Sequence, residues 1–91
     1  MAMTKEEAAQ RARADLASRL GIPEAEITED GVESIDFPDM ALGAPVDDEM
    51  SGAMISSGWR IRLKAHEEAY EYRADRRQIR LFNFKGANYR L

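Results

Sequence analysis

WRIRLKAHEEAYEYRADRRQIRLFNF, residues 59–84, is the stretch on which the fold turns. Trp59, Ile61, Leu63 and Ala65 alternate with Arg60, Arg62 and Lys64, the two-residue rhythm of a strand with one dry face and one wet face. Tyr70, Tyr72 and Ala74 alternate with Glu71, Arg73 and Asp75, and Ile79 and Leu81 alternate with Gln78 and Arg80. Three such runs in succession predict an antiparallel meander over about 59–84. A first hairpin turning at Glu67-Glu68, with His66 facing Ala69, sets Leu63 opposite Tyr72, Lys64 opposite Glu71 and Arg60 opposite Asp75. Apolar then meets apolar, and opposite charges meet.

Upstream, an amphipathic helix is the natural cover for the dry face of this meander. Thr4 and Glu7 have capping-box spacing, which places a helix start there. Over about 5–20, Ala9, Ala12, Leu16 and Leu20 form one stripe with Ala8 beside it, while Arg11, Asp15 and Ser18 face elsewhere. Gly21 suits the left-handed cap position, and Pro23 prevents resumption of the helix. Asp30-Gly31 reads as a turn or bulge, followed by an early strand over about 31–37 in which Ile35 and Phe37 alternate with Ser34 and Asp36. Residues 38–50 hold two prolines, a glycine and four acidic groups, and read as a long acidic surface loop. Ala53 to Ile55 form a short strand candidate, and residues 85–91 read as a loose tail. The predicted architecture is a single α+β domain over 1–91. One N-terminal helix packs on an antiparallel sheet of three to five strands, in α-β-β-β order with a C-terminal meander.

The 91 residues carry a formal net charge of −4, and the charge is unevenly placed: between positions 21 and 59 stand ten acidic side chains and not one Lys or Arg. The flanking segments are net basic. In a compact domain such zones lie side by side and attract each other. The absence of cysteine excludes a disulfide framework, a zinc ribbon and a thiol nucleophile. No apolar run approaches the length of a membrane span, and the opening MAMTKEEAAQRARADLA is charged where an export signal needs its apolar stretch. The expected setting is cytoplasmic, with no membrane contact.

Four short stretches, Phe37-Pro38-Asp39, Leu42-Gly43-Ala44-Pro45, Gly58-Trp59-Arg60-Ile61 and Tyr70-Glu71-Tyr72-Arg73, occur in this order. The series resembles an uncharacterised bacterial family marked by Trp-Pro-Asp, Leu-Gly-Cys-Pro, Gly-Tyr-Arg-Ile and Tyr-Glu-Tyr-His elements, a likeness covering roughly residues 12–83. That resemblance implies no established activity. The family's cysteines, one in its Leu-Gly-Cys-Pro element and another near the final strand, imply a disulfide in exported members; Ala44 stands at the first place here and the chain has no cysteine, in keeping with a reduced setting. Phe37 and Arg73 replace the family's Trp and His.

As a binding surface the sequence offers first the loop residues Phe37, Pro38, Asp39, Leu42, Gly43 and Pro45, because loops held on a rigid scaffold carry recognition. The architectural reading stands beside it: Phe37 plugs the core edge and Asp39 bonds nearby backbone amides. A second surface is the outer sheet face, where Arg60, Arg62, Arg73 and Arg80, joined by Phe82 and Phe84, would suit nucleic acid. Glu71 and Asp75 interrupt that patch, and the pI is about 5.0. Phe82 and Phe84 on a wet face suggest contact with another chain, so a monomer or a weak homodimer is expected; the alternative is that the strand ends at Leu81 and these rings fold back on the domain margin. Asp47, Asp48 and Glu49, with Asp39, lack calcium-loop spacing and read as a solvated loop, so neither a metal nor a cofactor is expected. His66 reads as a turn residue, and Ser51, Ser56 and Ser57 lack a nucleophile-elbow signature. The leading expectation is therefore a noncatalytic protein- or peptide-binding module. The alternatives are a nucleic-acid-binding module and, behind it, a hydrolase of unknown substrate.

Overall fold

The structure, a computed structural model, describes residues 2–46, 52 and 54–91. The first element, α1, spans Lys5–Leu20. Thr4 is extended at its start, its Oγ1 accepting the Glu7 N–H at 3.1 Å while Glu7 Oε1 accepts the Thr4 N–H at 3.0 Å. Two amides that the first turn leaves without helical partners are thus satisfied reciprocally. Gly21, at φ 67°, closes the helix in the left-handed conformation. Ala8, Ala9, Ala12, Leu16 and Ala17 are buried, so the contacting face is built mainly of methyl groups and the helix axis lies close to the sheet.

After a single 3-10 turn at Glu24–Glu26 come β1 (Ile27–Phe37), β2 (Ser56–Ala65), β3 (Glu68–Ala74), β4 (Ile79–Phe84) and β5 (Ala87–Arg90). They form one five-stranded antiparallel sheet in the order β1-β2-β3-β4-β5. The fold is α+β with an N-terminal helix, as the sequence predicts. One core joins the helix stripe to Ile27, Ile61, Leu63, Tyr72, Ile79, Leu81 and Phe84 on the inner sheet face. No helix among the described residues is long and apolar enough to cross a membrane.

Several local expectations are corrected. β1 begins at Ile27 and not near 31, because Asp30 is the extra residue of a bulge: Glu29 pairs with Leu63 and Gly31 with Arg62. Gly31, at φ 144°, adopts the backbone that the bulge needs. Met54 and Ile55 are not in a strand, β2 starting at Ser56, and Ala53 lies outside the described residues, as do Asp47, Asp48, Glu49 and Ser51.

The first hairpin turns one residue earlier than expected, at His66-Glu67, whose φ angles of 52° and 69° match the mirror-image turn that suits strand twist. Leu63 therefore pairs with Tyr70, Lys64 with Ala69, Arg62 with Glu71 and Arg60 with Arg73. The shift in pairing is two residues, an even number, so every side chain keeps its expected face. The expected tail also forms β5. Asn83, Lys85 and Gly86 all have positive φ, making the turn, and the Asn83 N–H donates to Asn88 Oδ1 at 2.8 Å. The irregularity between Leu81 and Phe84 carries Phe84 to the inner face, where it is buried, and not to the outer face expected for it.

Candidate functional site

The outer sheet face is roofed by the segment that follows β1. Asp39 organises it, one carboxylate oxygen accepting the N–H groups of Ala41 at 2.9 Å and Gly43 at 3.0 Å. Phe37, Ala41, Leu42 and Ala44 are buried, whereas Pro38 and Pro45 are exposed and Asp39 and Gly43 lie between. Burying backbone this tightly demands a partner for each carbonyl. Two are met within the loop: the Asp39 carbonyl accepts from Leu42 N–H, and that of Ala41 from Ala44 N–H. Five more are met by side chains rising from the sheet and its turns. Gln78 donates to the Met40 carbonyl at 2.8 Å, and Arg73 donates to both Leu42 and Gly43 at 3.1 Å. Arg80 donates to Ala44 at 3.2 Å and Asn88 to Pro45 at 2.8 Å.

The same arginines belong to a row that crosses the sheet, since Glu33 pairs with Arg60, Arg60 with Arg73, Arg73 with Arg80 and Arg80 with Arg90. Like charges directly opposite repel, so the row needs acceptors. Glu33 Oε1 lies 3.0 Å from Arg60 and 3.1 Å from Arg62, and Glu71 Oε2 lies 2.7 Å from Arg73 Nε. Arg60 Nε is 3.6 Å from Glu71, an ion-pair distance without a hydrogen bond. Phe82 lies face-on beneath Arg73, with the guanidinium carbon 3.8 Å from the ring centre. Of the residues that would suit nucleic acid, Arg80 is therefore 3% exposed and Arg73 is held by the loop, while Arg62 stays about half exposed.

His66 sits at the hairpin tip with Nε2 2.7 Å from Glu26 Oε1, and Ser57 Oγ donates to Asp36 at 2.9 Å. Among the described residues no group of three or more His, Cys, Asp or Glu is arranged to hold a metal ion.

The remaining surface of note is the β1 edge, because among the described residues β1 has a strand neighbour on one side only. Two hollows flank that edge on the helix side. One, of about 500 Å³, lies between the first half of α1 and β1, with Ala9 and Val32 as its apolar walls and Glu6, Arg13, Glu24 and Glu29 around them. The second, of about 450 Å³, gathers Ser34, Asp36, Ser57, Trp59 and Arg76. Val32 and Trp59 are only partly covered. Reading the sequence alone does not single out this edge; its signal was the run of acidic residues without a cation, which is equally the mark of a solvated loop.

The family model of the Domain of unknown function (DUF8738) matches residues 9–82, a span that contains β1, the pinned loop and most of the arginine row. No curated protein and no solved structure matches the chain.

Proposed function

This chain belongs to the Domain of unknown function (DUF8738) family, and we propose that it is a small noncatalytic module that binds a protein or peptide segment. The observation that carries this reading is the edge of β1 that no strand pairs among the described residues, with its two adjoining hollows. An extended chain laid along such an edge gains main-chain hydrogen bonds, and alternate side chains enter the neighbouring depressions. The pinned loop serves this role indirectly. It roofs the outer face and leaves the sheet edge and the helix groove as the places where a partner can enter.

Nucleic acid has less support, because the arginine row is engaged by Glu33, Glu71 and loop carbonyls. A hydrolase has less still, His66 being at a hairpin tip with Glu26 as its partner.

The test is selection of a random peptide library against the intact domain, with each selected peptide then measured on Ser34→Arg, an exposed β1 position beside the second hollow. Enriched sequences that bind the domain and lose affinity for the folded variant are expected. No enrichment, or binders indifferent to Ser34→Arg, would overturn the reading.

A further inference from the structure

We propose that the hollow between α1 and β1 is a site for a short aliphatic peptide with both ends free, its carboxylate held from the helix and its ammonium from the opposite wall. This goes beyond the edge-strand reading above, in which a partner's backbone is bound; here the two termini are. At about 500 Å³ the hollow falls within the size range of small-molecule sites.

The walls differ in charge because different elements build them. From α1 come Lys5, Ala9 and Arg13, spaced four residues apart on one stripe of the helix. The 3-10 turn supplies Glu24, and β1 supplies Glu29 and Val32. Ala9 is buried and Val32 half-buried, so apolar atoms lie among the charged tips. Elsewhere acid and base meet: Asp15 lies 2.7 Å from Arg19, Glu71 2.7 Å from Arg73 and Glu33 3.0 Å from Arg60. Around this hollow they do not. Lys5, Arg13, Glu24 and Glu29 have no side-chain hydrogen bond or ion pair among the described residues, although all four border the same space. Opposite charges that share a hollow and stay apart leave room for a molecule carrying both signs.

Glu6 and Gln10 complete the helix wall without changing its character. Glu6 stands in the first turn, where the free amides of the helix start offset a carboxylate, and Gln10 is neutral with both a donor and an acceptor. An anion drawn to Lys5 and Arg13 would also face Glu24 and Glu29, and a cation drawn to the glutamates would face the two bases. A zwitterion meets both walls, which makes the site selective as well as attractive. Aliphatic side chains suit Ala9 and Val32. The peptide group between the termini can reach the β1 edge, which no strand pairs among the described residues.

The experiment is a titration of the intact, isotope-labelled domain with the dipeptide Val-Val near pH 7, where both of its ends are charged, read by backbone amide shifts. The comparison probes are N-acetylated Val-Val, which lacks the cation, and Val-Val amide, which lacks the anion. Val-Val is expected to shift the amides of residues 9, 13, 29 and 32 and to bind about fivefold or more tightly than either blocked form. Arg13→Gln should weaken Val-Val by a similar factor without weakening the amide, and Glu29→Gln should weaken it without weakening the acetylated form. Arg13 is half-buried and Glu29 exposed, and melting temperatures check that both variants fold. Equal binding of the blocked forms, no saturable shifts, shifts centred on the second hollow, or a variant that weakens all three probes alike would overturn the inference. Its failure leaves the edge-strand reading standing, because Ser34→Arg tests that reading at the second hollow.

Discussion

Gly58 is where the two faces of the sheet constrain one another. A Cβ at this position would collide with the Ala74 carbonyl oxygen on the next strand and come within 3.2 Å of the Phe37 ring. Gly58→Ala is therefore expected to cost about 1–3 kcal/mol through forced strand separation, seen as a lower urea midpoint. Tyr72 poses a different problem, a phenol in the core. It donates to Asp15 Oδ2 at 2.8 Å, and Arg19 donates to the same oxygen at 2.7 Å. Burial first, then the hydrogen bond to Asp15 and its charge, hold the phenol protonated well above its ordinary value of 10.0. The unfolded chain gives up that proton first, so this contribution to stability is intact below about pH 10 and declines as the pH rises further. Tyr72→Phe should cost about 1 kcal/mol at neutral pH and flatten the alkaline decline in urea titrations. The decline does not vanish, since Tyr70 is also shifted upward, by burial and then by Glu68. At this scale Thr4, Glu7 and Asp39 were legible because their partners lie within four residues in sequence. Arg73 and Arg80 were not, because they bond carbonyls 30 to 36 positions away and carbonyls leave no trace in side-chain pattern.

Among elements, α1 was the most legible, both ends being written in cap residues. Thr4→Ala removes the reciprocal pair and is expected to lower stability by about 1 kcal/mol in urea unfolding. Hairpin register was less legible. The turn at His66-Glu67 contains no Gly or Asn, so nothing in the residue types separates it from a turn one position later, and both settings keep apolar side chains on one face. β5 was hidden for a related reason: Ala87-Asn88-Tyr89-Arg90 shows no sustained alternation, and its support comes from the turn at Asn83 to Gly86. The pinned loop is the element with the sharpest expectation. Arg73→Met leaves the Leu42 and Gly43 carbonyls without their donor and should cost about 2–3 kcal/mol. It should also speed hydrogen exchange at the Gly43 amide, which Asp39 now protects, while the α1 amides keep their rates.

Seen whole, the uneven charge of the sequence becomes a geometric arrangement. The acidic zone supplies the edge strand, and the basic zone supplies its neighbours, so Glu33 meets Arg60 and Arg62 across adjoining strands. Exposed pairs of this kind contribute little, and raising salt should change folding stability by less than about 1 kcal/mol. One sheet face is covered by α1, the other is roofed by the loop after β1, and β1 is the longer of the two edge strands. Cross-strand Hα–Hα and amide contacts between a library-selected peptide and isotope-labelled protein, read as intermolecular NOEs, test peptide binding at that edge most directly. Regularly spaced NOEs from the peptide to residues 31–36, with the β1–β2 register unchanged, are the result expected. NOEs to the arginine row, or to the loop over it, would contradict it.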